Sequence, residues 1–428
     1  MCLKAPWATD DLEESMGDMQ RPLEGVKVVE MATFIAAPAV GRILADMGAE
    51  VVKIESAKGD NLRFTAPNEG RPLDPHEDTN FDLENAGKKG IVLDLRAEKG
   101  AEVLFKLLED ADVFITNWRP QALERKNLQY EALKDRFPKL VYASLTGYGE
   151  KGPDKDLPGF DYTAFFARSG WSGSLYQKGT VPSNLIPALG DHQAALSLTV
   201  GILAALFRAK MTGQGEKVTT NLLHTAIWVQ AFQIQGCQYG NEFGGVSYPF
   251  DRRDNQLPYQ PAVKTKDDRF LQVMGPNFSI YWPLMMKAIG REDVLDDPVL
   301  SDQVAMLKEG RLGEAYDIVQ EGFQQKNLDE WIPILAELDI PYAICQTYEE
   351  VVKDEQAWAN DVFYEMDYPR GKKALVRTPI TFEETPLPPY EKAPLLGEHT
   401  RQILSDLGYS EEEIAKMLED KVVNEWNE

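Results

Sequence analysis

The chain has 428 residues, 43% of them hydrophobic, and its 69 acidic side chains against 45 basic ones give a formal charge of −24. That length is enough for a large core and two domains, and with no basic run longer than a Lys-Lys or Arg-Arg pair it argues against a nucleic-acid or anionic-membrane partner. Three scattered cysteines without a CxxC pair and four scattered histidines indicate neither a disulfide framework nor a metal centre.

In chain order, the opening "MCLKAPWATDDLEESMGDMQRPLEG" is acidic and lacks the apolar core of a signal peptide. No apolar stretch is read as reaching the roughly 20 residues of a membrane span, so the expected location is cytoplasmic. "VKVVEM" (26–31) predicts a strand, "PAVGRILADMG" (38–48) a helix with Pro at its start and Gly at its end, and "EVVKIE" (50–55) a second strand. The alternation continues with a strand at 90–95, a helix at 98–111, and strands at 113–116 and 140–145. Strands separated by helices predict a parallel sheet covered on both faces. The apolar run from Asp191 to about Lys210 predicts a helix buried in that arrangement.

After residue 223 the pattern changes. The predicted organisation is a large Rossmann-like α/β domain over 1–223, a linker over 224–262, a smaller α+β domain over 263–340, a second linker over 341–360, and a return to the large domain over 361–428. Glu55 ends the first βαβ where a dinucleotide-binding fold places its ribose acid. However, "ATFIAAPAVG" lacks GxGxxG, and with it the bare backbone that lets a pyrophosphate approach. There is also no GxxxxGK[ST], GxSxG or HExxH.

In "PALGDHQAALSLTVGILAAL" (187–206), Asp191 follows a glycine and precedes an apolar helix. That is a preferred N-cap, worth about 0.5–2 kcal/mol, and spacing alone favours this role. A fixed carboxylate is also what a nucleophile requires. Asp161 in "DLPGFDYTAFFARSG" reads first as a turn or cap aspartate. His192 points about 100° away from Asp191 on a helix and reads as a satisfied structural histidine. Asn117 and Trp118 end a predicted strand, where ligands of parallel sheets collect, and Arg125 is a candidate phosphate contact, though a solvated arginine is the commoner outcome. Tyr162, Phe165, Phe166 and Trp171 suit either an apolar acyl pocket or a helix core.

Taken together, "LEGVKVVEMATFIAAPAVGRILADMGAEVVKIE", "NAGKKGIVLDLRAEKG", "ADVFITNWRPQALER", "LVYASLTGYGEKGP", "ALGDHQAAL", "GILAALFRAKMTGQGEKV" and "APLLGEHTRQILSDLGY" resemble the class III CoA-transferases, the formyl-CoA transferase and carnitine CoA-transferase family. "GDNLRFTAPNEGRPL", "DLENAGKKG" and "DEQAWAND" look most like the branch that moves CoA between 2-hydroxy acids and enoyl-CoA products, the cinnamoyl-CoA:phenyllactate and 2-hydroxyisocaproate types. The resemblance implies that Asp191 is the catalytic aspartate, forming a mixed anhydride and then an aspartyl-CoA thioester. It makes Asp161 an auxiliary carboxylate. It also implies that Thr33, Phe34, Ala36, Asn117, Trp118 and Arg125 contact coenzyme A, and that Leu222 lies near the site. Coenzyme A is then the transferred group, no metal or redox cofactor is used, and the chain forms an interlocked homodimer threaded at 224–262 and 340–360. Thr33, Phe34 and Ile35 depart from the family's His, Val and Gln, Thr146 replaces its lysine, and no GGGGQ-like run is present. The α-methylacyl-CoA racemases of the same family are the competing reading; their GHD triplet is "GFD" here, with Phe160 in place of the partner base. A non-catalytic acyl-CoA-binding protein would not need Asp191.

Overall fold

The computed structural model describes residues 21–239, 247–385 and 391–426. The opening segment 1–20, including the acidic run read above, lies outside them. Two compact units are built from the chain: one up to Ser169 with Ile186–Trp228 and everything from Glu355 onward, the other from Gly170–Leu185 and Val229–Asp354.

The first unit begins with β1 (Lys27–Met31), α1 (Ala36–Asp46) and β2 (Glu50–Glu55), followed by α2 (Thr79–Asn85), β3 (Lys89–Leu93), α3 (Glu98–Glu109), β4 (Val113–Thr116) and β5 (Val141–Thr146). After a seven-residue π-helix at Asp161–Ala167 come α4 (Leu189–Thr212), β6 (Lys217–Asn221) and α5 (Leu222–Val229). The sheet order is β3-β2-β1-β4-β5-β6 with every neighbouring pair parallel. This is the parallel-dominated mixed α/β architecture expected from the alternation. Alternate residues of each strand face opposite sides. Val29, Met31, Val52 and Ile54 join Val103, Leu104, Leu107 and Leu108 of α3 in one core. Truncating Leu104 to Ala would cost about 2–5 kcal/mol there. On the other side lie α1 and α4, which pack on each other and on the sheet.

The helix α4 is longer and less enclosed than its composition suggested. Its inner face, including Ala194, Leu198, Ile202 and Leu206, is buried, whereas Val200 and Phe207 are 69% and 68% exposed. By length and hydropathy it is apolar enough to cross a membrane, against the sequence expectation that no stretch would be. In the fold it instead packs on α1, β5 and β6.

In the second unit β7 (Val263–Lys264), β8 (Phe270–Val273) and β9 (Tyr342–Ile344) form an antiparallel sheet. It shares a core with α6 (Phe278–Ile289), α7 (Leu312–Phe323) and α8 (Leu328–Glu337), built around Tyr259, Trp282, Phe323 and Trp331. Within stretches read from sequence as linkers, α5 and a further helix at Ala231–Gly236 occupy part of 224–262, and β9 lies inside 341–360; residues 240–246 of the first stretch lie outside the described ones. These elements are only three to eight residues long, too short for a period to show, which is why the pattern hid them.

The chain then returns to the first unit through β10 (Phe363–Met366) and β11 (Lys373–Val376), an antiparallel hairpin. Asp82 on α2 fastens this return by accepting from the Tyr368 hydroxyl (2.5 Å) and the Ala393 amide (2.7 Å). The helices α9 (Thr400–Asp406) and α10 (Glu411–Glu419) complete the α3 face, α10 starting from a Ser410–Glu413 capping box. Finally β12 (Val423–Asn424) pairs antiparallel with β3 and covers that edge of the sheet.

Candidate active site

Strand order reverses between β1 and β4, and a parallel sheet leaves a crevice at the carboxyl ends beside such a reversal. A cleft of about 380 Å³ occupies that place. Thr33, Phe34 and Ala36 from the β1–α1 connection line it, with Asn117 and Trp118 beyond β4, Leu222 beyond β6, Asp161 from the π-helix and Asp191 from α4. Arg125 is not among the lining residues. It is exposed, and its Nε donates to the Gln121 carbonyl (3.1 Å) within its own helical turn. The cations that do line the cleft are Arg119 and Lys155, both exposed.

The β1–α1 loop is held at three successive residues. Asn117 donates from Nδ2 to the Thr33 carbonyl (2.7 Å) and accepts the Thr33 amide on Oδ1 (3.1 Å), joining the two loops of the crevice. Phe34 sits in the left-handed region at φ 64°, a conformation that costs a side-chain-bearing residue about 1 kcal/mol or more. Its amide donates to Asp60 Oδ1 (2.9 Å), and the other Asp60 oxygen pairs with Lys53 Nζ (3.0 Å). Lys53 also donates to the Ala32 carbonyl (3.1 Å) and to Glu30 (3.1 Å), its direct partner across β1 and β2. Burial opposes the Lys53 charge, but Glu30, Asp60 and Glu55 outweigh it and raise its pKa. Lys88 takes the remaining Glu30 oxygen (2.7 Å), and burial pulls it down to about 8. Gly41 on α1 makes room for this cluster, since a Cβ there would lie 2.0 Å from Glu30 Oε2. Glu55, the residue placed like a ribose acid, is engaged by Arg63 (2.6 Å) and the Asp60 amide (2.8 Å).

The loop ends on the first turn of α1, which has no side-chain cap; Ile35 and Ala36 line the cleft there, and the amides of a first helical turn have no intrahelical acceptors. Asp161, also on the cleft, is 4% exposed, and neither of its oxygens completes a hydrogen bond among the described residues. Burial pushes its carboxyl up to about 6, although the Gly190 and Ala188 amides and His192 pull the other way. Gly190 permits this approach: a Cβ there would meet Asp161 Oδ1 at 2.4 Å and Phe165 Cγ at 2.3 Å.

Asp191 is not the helix cap that spacing favoured. The cap position of α4 is Ala188, at φ 68° and with no side-chain hydrogen bond, and Asp191 lies inside the first turn. Its carboxylate is left facing the cleft; burial, then Asp161 and Glu84, push it up to about 7 against the pull of His192. His192 is the satisfied histidine expected, with Nε2 2.8 Å from Glu84 Oε1 on α2. Burial works against its charged form, but Glu84, Asp191 and Asp161 outweigh that and raise its pKa. Glu84 was not singled out from sequence, because nothing in "DLENAGKKG" distinguishes it from a surface helix acid.

Of the aromatic residues weighed for an acyl pocket, Tyr162 lines the cleft, while Phe165 and Phe166 are 1% exposed and belong to the core. Trp171 lies in the second unit. Leu157 and Phe160 line the cleft as well, and Phe160 packs edge-on against Phe34 with ring centroids 5.7 Å apart. Among the described residues no group of three His, Cys, Asp or Glu side chains is placed to hold a metal ion.

A family model described as CoA-transferase family III matches residues 23–400. The chain belongs to CoA-transferase family III. This CoA-transferase is 52% identical over 398 residues to the cinnamoyl-CoA:phenyllactate CoA-transferase of Clostridium sporogenes, covering 93% of this chain and 96% of that one. It is 42% identical over 402 residues to the (R)-2-hydroxy-4-methylpentanoate CoA-transferase of Clostridioides difficile, covering 94% and 99%. Among solved structures, a CAIB/BAIF family protein from Brucella suis superposes with a TM-score of 0.75 at 28% identity, covering 91% of this chain and 100% of that chain.

Proposed function

We propose that this CoA-transferase carries CoA from a cinnamoyl-CoA-like donor to a 2-hydroxy carboxylic acid of the phenyllactate type, with Asp191 as nucleophile. The acid pair follows the 52% identity to the Clostridium sporogenes enzyme. The observation that supports the mechanism is Asp191 itself: a largely desolvated carboxylate that lines the cleft together with Ile35 and Ala36 from the uncapped start of α1.

In this reading an Asp191 oxygen attacks the donor thioester carbon, and the C–S bond breaks to release CoA thiolate and leave a mixed anhydride. The thiolate attacks the aspartyl carbonyl carbon and expels the donor carboxylate, so that CoA rests on Asp191 as a thioester. The acceptor carboxylate then attacks that thioester, regenerating thiolate and a second anhydride. Attack of the thiolate on the acceptor acyl carbon frees Asp191 and the new acyl-CoA. No proton is consumed, and each leaving group is a thiolate or a carboxylate. The Ile35 and Ala36 amides stabilise the oxyanions. Asp161 orients the acceptor, the aromatic wall of Phe34, Phe160 and Tyr162 receives its aryl group, and Arg119 and Lys155 at the rim meet the CoA phosphates.

The racemase alternative needs a second base where Phe160 stands, and His192 is held by Glu84 instead. An interlocked homodimer threaded by 224–262 and 340–360 belongs to the same proposal. Its support is the outward face of α4, where Val200 and Phe207 stand exposed, together with Trp228 on α5 at 74% exposure. A cytoplasmic setting suits acyl-CoA substrates. The test is incubation with cinnamoyl-CoA and each enantiomer of phenyllactate in deuterated buffer, with chromatography of the thioesters. Phenyllactyl-CoA and free cinnamate are expected; α-deuterium incorporation into an acyl-CoA without transfer favours the racemase and refutes the proposal.

A further inference from the structure

Four ionisable side chains gather around the start of α4: Asp191 and His192 on its first turn, Asp161 from the π-helix, which lines the same cleft as Asp191, and Glu84 from α2, 2.8 Å from His192 Nε2. Three are acids, and His192 is the one cation among the four. Charged groups on the neighbouring elements are engaged elsewhere. On α1, Arg42 pairs with Asp46 (2.9 Å); beyond α2, Lys88 faces Glu84 but is bonded to Glu30 (2.7 Å); on β6, Lys217 pairs with Glu150 (2.5 Å); and β5 carries no charged residue. Glu84 is 3% exposed, and its 2.8 Å bond to Nε2 keeps the imidazole from turning away.

We propose that Glu84 and His192 are a positioning pair for the reaction, in which buried Glu84 fixes His192 as the imidazolium counter-ion that keeps Asp191 a carboxylate. This rests on Asp191 being the nucleophile. Two desolvated carboxylates side by side favour sharing a proton, and a protonated Asp191 does not attack a thioester. The imidazolium opposes that uptake. Glu84 alone would promote it by adding a third negative charge, so the pair works only while both members are charged.

The test is the pH dependence of kcat/KM for the wild type, His192→Gln and the double variant Glu84→Gln with His192→Gln. Glutamine at 192 can still donate to Glu84 but carries no charge. The acid limb is expected to move up by about one pH unit in His192→Gln and to move back down in the double variant, where the unbalanced Glu84 charge is also gone. A purely structural role would lower activity at every pH without moving the limb, and adding the second substitution would only worsen the loss. An unmoved limb in His192→Gln, or a double variant displaced further upward than the single, overturns the proposal. Should the double variant fail to fold, NMR titration of His192 in the wild-type protein decides. A midpoint above 6.5 is expected, and one at or below it refutes the counter-ion role. Asp191→Asn, run alongside, separates the two failures: if it retains transfer the nucleophile assignment has failed, whereas an inactive Asn variant with an unmoved limb refutes the pair alone.

Discussion

Replacing Asp191 with Asn should abolish transfer and, at the same time, stabilise the fold in a pH-dependent way. The carboxyl is pushed to about 7 in the folded protein against an ordinary value of 3.8. The folded state therefore holds this proton more tightly than the unfolded chain does. Ionising Asp191 destabilises the fold: little is lost near pH 4, the loss grows as pH rises, and it is complete above about 7. A separation of about three pKa units at about 1.4 kcal/mol each sets an upper bound of about 4 kcal/mol. Asparagine matches the shape of the neutral acid and never ionises. Its stability advantage should therefore be small near pH 4 and should grow by up to about 3 kcal/mol between pH 5 and pH 8. Urea unfolding of both proteins at several pH values measures this, with transfer rates expected to fall on the order of 10⁴-fold. An advantage that does not change with pH, or an Asn variant less stable at pH 8, would refute the view of Asp191 as a desolvated, functionally strained carboxylate.

Other substitutions test the surrounding construction. Gly190→Ala would press a methyl group against Asp161 and the Phe165 ring, so it should cost about 1–3 kcal/mol in thermal or urea unfolding and lower kcat more than it raises KM. If Arg119 and Lys155 bind phosphate, replacing both with Ala should raise KM for an acyl-CoA while leaving turnover of the phosphate-free acyl-pantetheine unchanged; equal losses on both substrates would contradict that role. Phe207→Glu places a charge on the exposed apolar face of α4 and should lower the mass seen by light scattering if that face is an interface between copies. An unchanged mass would remove the support that face gives to the dimer.

The β1–β5 alternation was legible because each strand is a short, largely apolar run and the helices between them carry their own period. By contrast, β6 reads "KVTTN", with one clearly apolar residue, and is recruited to the sheet by five paired positions against β5 rather than by hydrophobicity. The two-residue β12 is visible only through its pairing with β3. At the site, Asn117 and Trp118 follow from the end of a strand, whereas Thr33 and Phe34 are singled out only through the family resemblance, because nothing in "ATFIAAPAVG" marks them locally. Asp191 was recognisable as a special carboxylate but not in its correct local role, because the left-handed Ala188 shifts the helix start and leaves the aspartate in the first turn. Arg125 and Arg119 are six residues apart on the same connection, and only three-dimensional placement decides which reaches the cleft. The partnership of Glu84 with His192 spans 108 residues of sequence and leaves no local trace.

The most direct measurement is covalent trapping. The protein is incubated with cinnamoyl-CoA, quenched with hydroxylamine, and mapped by peptide mass. The expected result is a hydroxamate on the peptide carrying Asp191, absent from Asp191→Asn. Full transfer activity with no adduct on that peptide, or the same adduct in the Asn variant, would contradict the assignment of Asp191 as nucleophile.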